Sequence, residues 1–154
     1  EKIQFERFDL TELVKGVLQS MELFAEQKQA KVSFRQTEPL YVWGDEYKIE
    51  QVVRNYVSNA LNHLAGDMVV EVKIEVKDGI ARTTVFNTGK PIPEEDISHI
   101  WEKFYKVDKA HTREYGGNGI GLSIVKAIME SLQRKYGVEN YDNGAAFWFE
   151  LEVK

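Results

Sequence analysis

The chain has no cysteine, which excludes disulfides and thiolate metal sites and fits a reducing compartment such as the cytoplasm. It has no apolar run approaching the ~18 residues that a membrane-spanning helix needs, and no signal peptide opens it. It lacks an excess of positive charge. Twenty Lys and Arg against 25 Asp and Glu give a net charge of −5, which argues against a broad nucleic-acid-binding surface, so any polyanionic ligand must be held locally. Internal repeats and low-complexity segments are missing too.

What is there suffices for one core. At 154 residues, 43% apolar and 29% charged, the chain is long enough for a single domain and hardly enough for two. The opening residues lack methionine and already alternate apolar and charged side chains, so the chain reads as a piece of a longer protein, with a linker over 1–9 and one domain over 10–154.

Asp9 can cap a helix over about residues 10–29, because Leu10, Leu13, Val14, Val17, Leu18, Met21 and Phe24 recur at three- and four-residue spacing. Residues 31–35 and 40–43 read as two short strands paired with each other. A second helix carries Ile49, Val52, Val53, Tyr56, Val57, Ala60, Leu61 and Leu64 on one face. Val70, Val72, Ile74 and Val76 alternate with charged residues, and Asp78-Gly79 turns the chain into residues 80–86, a hairpin. Residues 88–118 hold two of the three prolines and little periodicity; such a stretch either lacks fixed structure or closes as a lid. A third helix places Ile124, Val125, Ile128, Met129 and Leu132 inward, with Gly137 as its stop, and residues 147–153 alternate as a last strand. The order predicts an α/β (α+β) fold: a two-layer sandwich whose mixed five-stranded sheet is covered on one face by three helices.

Two clusters suggest chemistry. Gly116, Gly117, Gly119 and Gly121 lie within six residues just before the third helix. Glycines let backbone N–H groups approach an anion, and the helix N-terminus adds a favourable field. The same stretch could instead be a hinge. No Gly-Lys-Ser/Thr follows it and no strand leads into it, so neither a Walker A loop nor a dinucleotide fingerprint fits. On the second helix Asn55, Asn59, Asn62 and His63 form a polar stripe beside the apolar one. Asparagine is a poor helix former, so the stripe is either a solvated face or a ligating one. An amide oxygen can ligate Mg²⁺ without adding negative charge.

Four segments in order then resemble the boxes of bacterial sensor histidine kinases: residues 51–63 the N box, 86–93 the first glycine box, 100–108 the F box and 117–125 the second glycine box. The resemblance implies the ATP-binding Bergerat fold shared with gyrase, Hsp90 and MutL. It implies Asn59 as the Mg²⁺ ligand, Asn55 as its phosphate-side neighbour, Asn62 and His63 beside the nucleotide, and Gly117, Gly119, Ile120, Gly121 and Leu122 around phosphates and base. Lys103 and Lys106, in a lid over about 93–117, would reach the β- and γ-phosphates, with Phe104 and Tyr105 as lid anchors and Tyr105 next to the nucleotide. Asn87 stands where the family usually has the aspartate that accepts from adenine; Gly89 and Ile92 of that box are kept, while Pro91 replaces its second glycine. Residues 143–147 resemble the third glycine box, with Ala145 in place of the usual threonine.

The ATP-hydrolysing relatives have a glutamate at the position of Asn55, and an amide is no general base. The expectation is therefore γ-phosphoryl transfer from Mg²⁺-ATP to a histidine. None of the three histidines here opens the family's phosphoacceptor motif. That histidine is expected upstream, on a dimerisation domain that residues 1–9 would link to this one, with a response regulator as the next acceptor. The full protein would be a membrane-anchored homodimer and this piece a cytoplasmic monomer. An ATPase of the gyrase or MutL type and a degenerate interaction module are the competing readings.

Overall fold

A computed structural model describes residues 2–105 and 121–154. Their elements are β1 (Glu6–Asp9), α1 (Leu10–Ser20), α2 (Glu22–Gln27), β2 (Lys31–Phe34), β3 (Tyr41–Gly44), α3 (Glu46–Asn62), β4 (Val69–Lys77), β5 (Ile80–Thr88), α4 (Gly121–Ser131), β6 (Tyr136–Tyr141) and β7 (Gly144–Val153), with a 3-10 turn at Glu94–Asp96. The strands form one mixed sheet in the order β1-β3-β7-β5-β4-β2, with β6 alongside β7. It has seven strands rather than the expected five. The two extra ones are β1, from residues assigned to a linker, and β6, whose run contains Gly137 and Asn140 and lacks the alternation that marks β4.

Period-two alternation decides which face is buried. Ala145, Phe147, Phe149 and Leu151 of β7, Ala81 and Val85 of β5 and Val70 and Val72 of β4 join one core with Leu10, Val14 and Val17 of α1, Ile49, Val53 and Tyr56 of α3 and Val125 and Met129 of α4. The opposite face carries Arg82, Trp148 and Glu150. Arg82 lies 3.6 Å over the Trp148 ring and pairs with Glu150 at 2.8 Å, so this side stays polar. Tyr56 stitches the layers together: fully buried, it touches Phe147 and Phe149 and donates its hydroxyl to Trp148 O at 3.0 Å. Burial, and secondarily Tyr136, holds its pKa well above the ordinary tyrosine value.

Asp9 does cap the first helix, accepting from Thr11 N at 3.0 Å, and it also accepts from Leu40 N at 3.1 Å. That helix is broken rather than continuous to residue 29. Met21 leaves helical geometry, and Ser20 Oγ turns back to Val17 O at 2.8 Å. The expected pairing of residues 31–35 with 40–43 is not formed: β2 runs parallel to β4, while β3 lies between β1 and β7. The contacts of Asp9 and Thr11 with Leu40 and Glu38 hold this connection across the top of α1, which carries the chain from one edge of the sheet to the other side. The 78–79 hairpin turn is as expected, with φ of 52° and 77° at its two central residues. Helix α4 stops at Ser131, not near Gly137. Gln133 adopts a φ of 57°, and the Arg134 N–H returns to Met129 O at 3.0 Å, a Schellman closure made without glycine.

Candidate functional site

The site lies where the C-terminal half of α3 meets the end of β5. The regular apolar face of α3 orients the helix, and Asn59 follows from that orientation. Rather than standing on a solvated flank it is 0% exposed, on a helix that packs against α1, α4 and β5. Asn55, Asn62 and His63 are half-buried around it. Neither Oδ1 nor Nδ2 of Asn59 has a hydrogen-bond partner among the described residues. A buried amide in that condition costs about 1–3 kcal/mol per unsatisfied group, so an outside partner is needed to recover it. The Asn55 amide is directed differently, donating from Nδ2 to Gln51 O at 2.9 Å along its own helix.

Asn87, on the helix-facing side of β5, is 2% exposed. Its Nδ2 donates to His63 O at 3.3 Å and to Thr88 O at 3.0 Å. Two carbonyls therefore fix which way the amide points, and Oδ1 is left buried with no donor among the described residues. His63 supplies a backbone carbonyl as well as a side chain: its N–H closes α3 on Asn59 O at 3.2 Å and its C=O orients Asn87. Gly89 sits against the same carbonyl, where a Cβ would stand 2.5 Å from His63 O. The structure thus brings Asn87, His63 and Gly89 into contact and sets Asn59 one turn before His63.

The remaining predicted residues are placed as follows. Ile92 is buried, with its side chain in the core. Gly121 and Leu122 open the described part of α4, and both are buried. Lys103 is exposed on a turn. The Tyr105 hydroxyl donates to Asp96 Oδ1 and its ring stacks on His99 at 5.1 Å. The bond to Asp96 is the main reason that its pKa is pushed up to about 12. Lys106, Gly117, Gly119 and Ile120 lie outside the described residues. No group of three or more His, Cys, Asp or Glu that could hold a metal occurs among the described residues.

Sequence reasoning missed Asn140. Its side chain grips the backbone of Ile92 through two hydrogen bonds, at 2.9 and 2.7 Å. Asparagine is depleted in strands and β6 itself was not foreseen, so no local signal pointed to this grip. It also missed that Gly144 lets β7 approach the site, since a Cβ there would stand 2.0 Å from Asn87 O.

The sequence profile of the histidine kinase-, DNA gyrase B- and HSP90-like ATPases matches residues 44–154. The chain is 32% identical over 133 residues to the sensor histidine kinase WalK of Bacillus subtilis, covering 83% of this chain and 22% of WalK. The catalytic domain of the histidine kinase ThkA, nucleotide-free, superposes with a TM-score of 0.85 at 31% identity over 97% of this chain and 96% of that one. ThkA in complex with the response regulator TrrA gives a TM-score of 0.78 at 27% identity, over 99% and 42% of the two chains. Full-length ShkA in complex with AMPPNP gives 0.83 at 25% identity, over 100% and 32%. The chain spans 10–29% of the length of such curated relatives.

Proposed function

The chain belongs to the histidine kinase-, DNA gyrase B- and HSP90-like ATPase family, and on that premise we propose that it binds Mg²⁺-ATP and donates the γ-phosphoryl group to a histidine on an upstream dimerisation domain, as the catalytic domain of a two-component sensor kinase. The observation that carries this reading is the pair of buried amides, Asn59 and Asn87, each with an acceptor oxygen that has no donor among the described residues. An adenine amino group would donate to Asn87 Oδ1. Asn59 Oδ1 would ligate Mg²⁺, which when bound neutralises charge on the phosphates.

The rest of the site has matching roles. The N-terminus of α4 presents backbone N–H groups and a positive dipole end to phosphate, with Gly117, Gly119 and Ile120 just before it, and Leu122 beside the base. Lys103 and Lys106 would offset charge developing on the transferred group, and Tyr105 would flank it. Asn55 has no acid-base capacity and would neighbour the phosphates, which favours transfer over hydrolysis. Catalysis would consist of positioning and charge neutralisation, with an imidazole nitrogen as nucleophile. The AMPPNP complex of ShkA and the ThkA–TrrA complex support nucleotide as ligand and a response regulator as the next acceptor. No described helix is long and apolar enough to cross a membrane; anchoring of a full-length homodimer would come from segments elsewhere.

The test is calorimetric titration of ADP and a non-hydrolysable ATP analogue with and without Mg²⁺, followed by transfer of labelled phosphate to an added phosphoacceptor domain. Saturable, Mg²⁺-strengthened binding and histidine labelling are expected. Absence of binding at millimolar nucleotide would leave the interaction-module reading standing instead.

A further inference from the structure

The loop that leaves β5 at Thr88 and reaches the 3-10 turn at Glu94–Asp96 belongs to no sheet, yet its Ile92 is 2% exposed. A buried backbone unit needs both its N–H and its C=O satisfied. One side chain does both: Asn140 Oδ1 accepts from Ile92 N at 2.9 Å and Asn140 Nδ2 donates to Ile92 O at 2.7 Å. The carboxamide imitates a neighbouring strand at a single position. At the other end of the loop the Gly89 N–H donates to Asn143 O at 2.9 Å, in the turn that joins β6 to β7. The β6–β7 hairpin therefore holds the loop at two points. Gly89, the first of them, rests on the same His63 carbonyl that orients the Asn87 amide.

We infer that Asn140 is a positioning residue for the base end of the nucleotide site. It acts through Ile92 and Gly89 rather than by touching the ligand, and the inference rests on the nucleotide reading above. Only an amide, with one donor and one acceptor in a fixed fork, satisfies both backbone groups of Ile92. Asn140→Asp keeps the volume and the acceptor but turns a second oxygen toward Ile92 O, so it opposes the grip without opening a cavity. Asn140→Ala removes it.

The experiment titrates ADP and adenosine into the parent chain, Asn140→Asp, Asn140→Ala and Val138→Ala. The last trims a partly buried core side chain on the same strand and leaves the loop alone. Melting without nucleotide and hydrogen exchange at the Ile92 amide accompany each titration. Both Asn140 variants should bind ADP about tenfold more weakly, with the same fold loss for adenosine, an unchanged Mg²⁺ dependence and faster exchange at Ile92. Val138→Ala should bind as the parent does at a comparable drop in melting temperature. If Asn140→Ala does not fold, the isosteric Asn140→Asp decides alone. Parent-like ADP affinity in Asn140→Asp, or an equal loss in Val138→Ala, overturns the inference while the nucleotide reading survives. A parent chain that binds no ADP overturns that reading, and this inference with it.

Discussion

The side-chain nitrogen of Asn87 donates to the backbone oxygen of His63 at 3.3 Å, tying the end of β5 to the residue that terminates α3. With the second bond, to Thr88 O at 3.0 Å, this makes position 87 a socket shaped for an amide. The only part of the side chain left for a ligand is its oxygen.

Asn87→Asp should therefore weaken the domain rather than improve it. A carboxylate oxygen would face two carbonyls that now receive N–H donors, an arrangement that costs about 1–3 kcal/mol. Urea denaturation should show the midpoint falling, and ADP titration should show no gain in affinity from the added charge. A stabilised or tighter-binding variant would refute the socket.

Asn59→Leu should separate stability from binding. Leucine has nearly the same shape and removes two buried polar atoms that have no partner among the described residues, so the nucleotide-free domain should gain about 1–3 kcal/mol. Mg²⁺ should then no longer strengthen nucleotide binding. Thermal melts and titrations on the same samples check both halves, and a less stable variant would mean that Asn59 has a partner within the protein.

Two glycine-to-alanine substitutions should move stability in opposite directions. At Gly144 the new Cβ would stand 2.0 Å from Asn87 O, so β5 and β7 must separate, at a cost of about 3 kcal/mol or more. Gly16 lies on the exposed side of α1 with nothing within 4 Å of an added Cβ. There alanine should add about 1 kcal/mol through helix propensity alone. Chemical denaturation of the two variants beside the parent measures both.

Tyr105 and Tyr136 should ionise late. The bond to Asp96 raises the first from 10.0 to about 12, and burial, followed by the bond to Glu130, raises the second to about 12. Because the folded state keeps these protons longer than the unfolded chain does, their contribution to stability is complete below pH 10 and is lost as pH rises from 10 to 12. Spectrophotometric titration should show phenolate absorbance growing in that window, and Asp96→Asn should shift one tyrosine back toward 10.

Local physics made much of this molecule legible in its sequence. The apolar periodicity of residues 49–61 located α3, the same periodicity put Asn59 and His63 near one another, and the alternation of 70–76 with Asp78-Gly79 located the β4–β5 hairpin. What stayed hidden depends on partners far along the chain. No local signal tells residues 31–34 to lie parallel to β4 rather than against residues 41–44, because both pairings satisfy the same alternation. Strand β6 holds its place by pairing with β7 and by Gly137 accommodating the Trp148 ring, where a Cβ would come within 2.7 Å. Asn140 could not be read as a grip on Ile92, 48 residues away, until that strand was known.

The position of β7 has a consequence for how the chain comes into being. The last of these seven strands to leave the ribosome lies inside the sheet, with β5 along one side and β3 and β6 along the other, and it supplies Phe147, Phe149 and Leu151 to the core. While a ribosome is still translating residues 144–153, β5 has an open edge and the helices have only part of the surface they are to cover. Such sequence-distant pairings slow folding and leave exposed strand edges in the meantime. The nascent chain must wait in that incomplete state until Val153 has cleared the exit tunnel, whatever sequence follows it.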